Sequence, residues 1–225
     1  MSRLRISLWL LAAGATVFSL CGCTAGTSSD NITRLKSVEV RQYKGKNLSS
    51  IADFQENSIK GPQDVPKDTY RLVINGLVNK PQSLTYDNIV KKHTAVSKVV
   101  KLDCVEGWSV TILWEGVLVE DLLRQADPKS RARVVILRAH DGYSTSFPVE
   151  YFKANKIMMA YKMNGVDLPP ERGFPFMLVA EEKWGYKWIK WIESITLSDD
   201  TSFRGYWESR GYSNSGDLNK GFFTE

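Results

Sequence analysis

The residues best equipped for chemistry lie in one stretch, Lys98-Val-Val-Lys-Leu-Asp-Cys104-Val-Glu106-Gly107-Trp108-Ser-Val-Thr-Ile-Leu-Trp114. Val99, Val100 and Leu102 read as a strand. The strand ends on a cysteine, and Gly107 just beyond permits a turn that a Cβ would resist. Cys104 is therefore expected at a strand end, where scaffolds tend to present functional groups. A thiolate there could be a nucleophile or a soft metal ligand, whereas a thiol sealed in a core is neither. Glu106, two residues on, could hydrogen-bond a group held by the cysteine or simply be solvated. Trp108 reads as packing.

The elements around this stretch are mostly short strands. Tyr70-Arg-Leu-Val-Ile-Asn75-Gly76-Leu-Val predicts strand, Asn-Gly turn, strand. Ser83 to Lys92 predicts a helix capped by Thr85. Trp114-Glu-Gly-Val predicts a turn, and Val117 to Gln125 a helix with Leu118, Leu122 and Leu123 at core spacing. Arg133–Ala139 and Tyr143–Phe147 predict a hairpin about Asp141-Gly142. Val149–Lys153 predicts a helical turn, Ile157–Met163 a strand, and Asn164-Gly165 another turn. Phe174–Ala180 and Trp188–Leu197 predict the last strands. Many short strands and few short helices imply an α+β domain built on a strand-rich mixed sheet.

The chain has 225 residues, and beyond about the first fifty it is long enough to bury one ordinary core. Its formal charge of +5 is spread along the chain without a basic tract, which argues against nucleic-acid binding. Residues 1–23 read as a lipoprotein signal peptide. Arg3 and Arg5 precede an apolar run from Ile6 to Leu20, and Leu20-Cys21-Gly22-Cys23 resembles a bacterial lipobox with Cys23 as the lipidated residue. That implies an extracytoplasmic protein anchored to a membrane through lipid. The two arginines are separated by Leu4, so the signal has general secretory rather than twin-arginine character. Residues 24–65 read as a tether, 66–213 as the folded domain and 214–225 as a polar tail. With Cys21 and Cys23 lost or modified, Cys104 has no partner for an internal disulfide. No Cys-x-x-Cys, His-Glu-x-x-His or Gly-x-Ser-x-Gly occurs, and a cysteine hydrolase would have only His93 and His140 to choose from as a base.

Cys104-Val-Glu-Gly-Trp followed by Trp114-Glu-Gly-Val resembles the cofactor-binding core of the sulfite oxidase-like molybdopterin oxidoreductases. A second segment, Gly173-Phe-Pro-Phe-Met-Leu-Val-Ala-Glu-Glu-Lys-Trp-Gly-Tyr-Lys187-Trp188-Ile189-Lys190-Trp191-Ile192, extends the resemblance in the right order. The resemblance implies the sulfite oxidase molybdopterin-binding type of fold and a molybdenum-molybdopterin cofactor with Cys104 as the metal ligand. It implies cofactor contacts from Lys190 first and Lys187 second, with Trp188 and Ile189 between them. The competing reading of the same residues is a polar stripe of Lys187, Lys190 and Glu193 at helical spacing. Two departures from the family pattern stand out: Met177 occupies a position that is often arginine, and Arg172 one that is asparagine in the methionine sulfoxide reductases. Arg172 could supply replacement charge toward the cofactor. His140, Tyr143 and Glu106 are the candidates to line the substrate pocket. The implied activity is oxygen-atom transfer on a small or peptide-borne substrate. Without a Cys-x-x-Cys-His haem motif, electrons would pass to or from a separate carrier, a cytochrome or a quinol-linked membrane protein. The alternative is a cofactor-free lipoprotein of the same fold that binds a ligand or partner in the old pterin cleft.

Overall fold

Apolar residues alternate with polar ones along Ala95–Asp103 and Ser109–Leu118, so each strand offers one face to a core. The computed structural model describes residues 28–223 and pairs these two as a long antiparallel hairpin. In chain order the elements are α1 (Ser28–Leu35), β1 (Gln42–Tyr43), β2 (Lys46–Asn47), β3 (Leu72–Gly76), β4 (Gln82–Leu84), α2 (Tyr86–Lys92), β5 (Ala95–Asp103), β6 (Ser109–Leu118), α3 (Val119–Ala126), β7 (Val134–Ala139), β8 (Ser144–Pro148), α4 (Val149–Asn155), β9 (Met158–Met163), β10 (Val166–Asp167), β11 (Met177–Val179) and β12 (Ile192–Ser198).

Two five-stranded sheets carry the fold. One runs β10-β9-β6-β5, with β11 also pairing with β9, and all its pairs are antiparallel. The other runs β4-β3-β12-β7-β8, and in it β12 pairs parallel to β3 and antiparallel to β7. The mixed, strand-rich α+β class expected from the sequence is the one observed. Trp114, Ile112, Phe152, Phe176, Ile74 and Ile195 are all fully buried, in one core shared by both sheets.

Several local expectations hold. Thr85 caps α2, its hydroxyl accepting from the Asn88 amide at 3.0 Å, which satisfies one of the free amides of the first turn. Asp141-Gly142 closes the β7–β8 hairpin, with Asp141 Oδ1 accepting from the Tyr143 amide at 2.8 Å. Others give way. Trp114–Val117 is not a turn but the middle of β6, where the register against β9 shifts between Glu115 and Gly116. Gly116 is there because a Cβ would stand 2.3 Å from the Met159 carbonyl oxygen, so this glycine marks a close approach of two strands. Asn75-Gly76 is not a two-residue hairpin either. It ends β3, and the chain runs on through Leu77, whose amide donates to Leu197 O, before β4 returns.

The stretch expected as a tether is packed chain from Glu39 onward. Leu48, Ile51, Phe54 and Val65 are buried. Buried Glu39 accepts from Ser50 Oγ at 2.6 Å, the Ile51 amide at 2.8 Å and Asn164 Nδ2 at 3.2 Å, binding this segment to the β9–β10 turn. Turn-forming residues in this stretch suggested a linker, but its apolar residues sit at spacings that fit one buried face. The signal segment and Cys23 lie outside the described residues. Among the described residues, no helix is long and apolar enough to cross a membrane.

Candidate functional site

β5 ends at Asp103, and the chain turns through Cys104-Val-Glu-Gly before β6 begins. The Cys104 amide donates to Trp108 O at 2.9 Å and the Gly107 amide to Cys104 O at 3.1 Å, so the turn is closed on both sides. Cys104 is a free thiol, 9% exposed, on the wall of a cleft of about 430 Å³. That volume falls within the usual span of small-molecule sites, roughly 300–1,000 Å³. Burial pushes its thiol above the ordinary value, while the backbone amides of Glu106 and Val105 act in the opposite direction by favouring the thiolate. Behind it, a Cβ on Gly185 would come within 3.2 Å of Cys104 Cα. The loop before β12 thus presses against the cysteine backbone and fixes where its sulfur stands.

The same loop distributes the expected cofactor residues in different directions. A short 3₁₀ turn over Gly185–Lys187 and a left-handed Trp191 (φ 51°) break any helical periodicity. Trp188, Ile189 and Lys190 line the cleft. Trp188 donates its indole N–H to Lys183 O at 2.9 Å and packs on Trp114, ring centroids 5.9 Å apart. Lys187 does not line the cleft. Its ammonium is fully buried and donates to Glu208 Oε1 and Ser146 O, each at 2.7 Å, and to Asn214 O at 3.0 Å. Lys190, 9% exposed, donates to Glu56 Oε1 at 2.7 Å and lies over the Trp191 ring. Burial lowers the pKa of both lysines, and their carboxylate partners oppose that shift.

Arg172 is buried behind the cleft-lining Phe54, its guanidinium 5.3 Å from that ring's centroid, and its hydrogen bonds to Ile51 O and Glu171 O are long, at 3.4 Å each. Glu106 is exposed at the cleft rim and accepts from the Trp108 indole N–H at 3.3 Å. Tyr143 lines the cleft, its hydroxyl donating to Tyr186 O. His140 does not reach it and pairs instead with Glu193 at the surface. Sequence reasoning missed the segment Phe54–Ile59, which forms one wall, and Trp207 and Tyr212 at another. The signal was present for the first: Ser50 and Asp53 form a capping box on the turn that leads into Phe54.

Among the described residues no group of three His, Cys, Asp or Glu side chains could hold a metal ion. A metal at Cys104 would have one protein thiolate and must bring its other ligands with it. Around the thiol stand flat aromatic walls (Trp108, Trp188, Trp207 and Tyr212) and one basic side chain, Lys190. Glu56, Glu106 and Asp141 line the same cleft, and Glu56 pairs with Lys190; the aromatic walls and the single thiol fit a planar cofactor that carries its own metal ligands.

Comparison with known proteins agrees. The family model of the oxidoreductase molybdopterin-binding domain matches residues 59–207, and this chain belongs to that family. Its cofactor is molybdenum-molybdopterin. Among curated relatives, the uncharacterized oxidoreductase YuiH of Bacillus subtilis is 34% identical over 149 residues, which span 66% of this chain and 74% of that one. The putative protein-methionine-sulfoxide reductase subunit YedZ1 of Azospira oryzae is 31% identical over 67% of this chain and 56% of its own. Nitrate reductase [NADPH] of Aspergillus niger is 29% identical over 64% of this chain but only 19% of its own length. Among solved structures, the sulfane dehydrogenase SoxCD of Paracoccus pantotrophus shares the fold, with a TM-score of 0.61 at 22% identity over 92% of this chain and 60% of that one.

Proposed function

We propose that this chain is an extracytoplasmic oxidoreductase that performs oxygen-atom transfer on a small or peptide-borne substrate, with Cys104 as the molybdenum ligand. The observation that carries it is the placement of Cys104: a free thiol on a cleft wall, in a turn closed by its own backbone hydrogen bonds. When bound, the cofactor supplies a metal that takes and gives oxygen and electrons in pairs. The chain's part is to hold, orient and shield. The closed Cys104–Gly107 turn fixes the sulfur, and contact with the Gly185 loop keeps it there. Trp188 and Ile189 contribute a flat wall and backbone, Lys190 positive charge at the anionic end, and Trp108, Trp207 and Tyr212 limit water at the mouth, while Arg172 stays buried behind Phe54. Glu106 at the rim and Tyr143 inside are the polar side chains to meet a substrate. Lys187, tied up with Glu208, is left to stabilise the wall. Electrons would be exchanged with a separate carrier, a cytochrome or quinol-linked membrane protein, and Cys23 would carry a lipid anchor. In this reading residues 1–23 are the signal and the domain boundary moves toward the chain start to include the packed segment around Ile51.

Metal analysis tests this. Protein made in a cofactor-producing host should hold molybdenum near one per chain, and Cys104→Ser should lose it while keeping the fold by circular dichroism. A folded wild-type protein that never takes up molybdenum would instead support the cofactor-free binding module.

A further inference from the structure

The cleft beside Cys104 is lined by three carboxylates, Glu56, Glu106 and Asp141, and by a single base, Lys190. Its lining includes no arginine and no histidine. Lys190 is committed to Glu56, donating to its Oε1 at 2.7 Å. Asp141 is buried, accepts from the Tyr143 amide and has a base close by: Lys60 Nζ stands 3.6 Å from where a Cβ on Gly142 would be. The bases just behind the lining are engaged too. Lys101 pairs with Asp103, Lys187 pairs with Glu208, and Arg172 is buried within reach of the Glu171 charge. Glu106 differs from the other two acids. It is exposed at the rim, and among the described residues it has no ion-pair partner. The Trp108 indole N–H, at 3.3 Å, donates to its carboxylate.

A charged molecule entering this cleft therefore meets a wall with negative charge to spare. Cleft walls of low dielectric concentrate such a field. A second anion brought beside a carboxylate loses hydration and gains no counter-charge. The rings at the mouth act in the same direction. Trp108 flanks Glu106, and Trp207 and Tyr212 stand at another wall with centroids 5.2 Å apart. Aromatic faces attract cations and offer nothing to anions. The cofactor's own phosphate makes the occupied site more negative still. An inorganic oxyanion finds no free base here, whereas a neutral or cationic substrate needs none.

We propose that Glu106 sets the charge of the substrate: the cleft takes neutral or positively charged oxygen donors or acceptors, either small molecules or groups beside a basic residue of a peptide, and turns inorganic oxyanions away. This rests on the reading above, in which the substrate meets the metal in this cleft, and adds to it the charge class of that substrate. Glu106 acts as a specificity residue, attracting a cation at the rim and repelling an anion before either reaches the sulfur.

The test uses full-length protein from a cofactor-producing host and three methyl propyl sulfoxides that differ only at the far end of the propyl chain, which bears an ammonium, a hydroxyl or a carboxylate. Quenching of the cleft tryptophans reads binding. Oxidation of a reduced viologen dye reads turnover, in which the S–O bond breaks and two electrons and two protons leave a thioether and water. The ammonium probe should bind most tightly and the carboxylate probe least. Their affinities should differ by about tenfold, an attraction and a repulsion each of the size of an exposed ion pair. Added salt should narrow that ratio. Glu106→Gln should narrow it by about threefold or more, and Glu106→Lys should narrow it further. The side chain is exposed, so both variants should fold, which circular dichroism checks. Sulfite and nitrate should fail to compete with the ammonium probe. A carboxylate probe or sulfite bound as tightly as the ammonium probe overturns the proposal. So does a ratio that Glu106→Gln leaves unchanged, or a failure of all three sulfoxides to bind. Binding in the expected order without molybdenum or turnover sinks the oxidoreductase reading alone, and turnover without charge preference sinks the role of Glu106 alone.

Discussion

Replacing Lys187 with methionine distinguishes a structural lysine from a cofactor-binding one. Its ammonium is fully buried with Glu208, whose carboxylate is equally inaccessible, and it also serves the carbonyls of Ser146 and Asn214. Methionine fills a similar volume but leaves the Glu208 carboxylate buried with only Thr145 Oγ, at 2.5 Å, to donate to it. Breaking a buried pair from one side costs about 3–5 kcal/mol, and two carbonyls losing a donor add about 1 kcal/mol or more. The expected loss is therefore at least ~4 kcal/mol, a large share of the roughly 5–15 kcal/mol that holds a domain together. Urea unfolding of the cofactor-free protein, read by tryptophan fluorescence, measures it. Removing the stranded charge as well, in Lys187→Met/Glu208→Leu, should recover about 1–3 kcal/mol as a coupling energy. The reasoning fails should Lys187→Met cost under ~1 kcal/mol. It fails decisively should that variant be as stable as wild type yet unable to retain molybdenum, for then the lysine serves the cofactor.

Ile51→Ala should destabilise by about 2–5 kcal/mol in the same urea assay, the range for a large-to-small change at a fully buried site; a flexible tether would show no change. Alkaline pH should weaken the fold through Tyr86, whose pKa is pushed up to about 12, chiefly by burial and then by the charge of Asp167. The folded form keeps a proton that the unfolded chain gives up near the ordinary value of 10.0, so the contribution is whole below that pH and drains away as pH climbs toward 12. Unfolding free energies across that window should fall less steeply in Tyr86→Phe than in wild type, and parallel slopes would contradict the assignment.

What could be read along the chain follows how local each cause is. The Cys104 turn, the Thr85 cap and the Asp141-Gly142 hairpin are closed by partners a few residues away, and sequence spacing foretold all three. The pairing of β3 with β12 was not legible, because alternation reports which face of a strand is buried and says nothing of its neighbour. Gly116 and Asn75-Gly76 were read as turns because glycine signals backbone freedom and close approach with the same letter. The lysines make the point most sharply. Lys187 and Lys190 are three residues apart and chemically alike, so the sequence offers a single role for both, as a phosphate grip or as a helical stripe. The short turn and the left-handed Trp191 send them to different places, and each is then defined by an acid far along the chain: Glu208, 21 residues on, and Glu56, 134 residues back. A buried ammonium takes its function from whatever neutralises it, and that partner is chosen by the fold. The Cys104 turn is closed by hydrogen bonds within five residues, and this is why the cysteine could be placed at a strand end from sequence while the division of labour between the two lysines needed the structure.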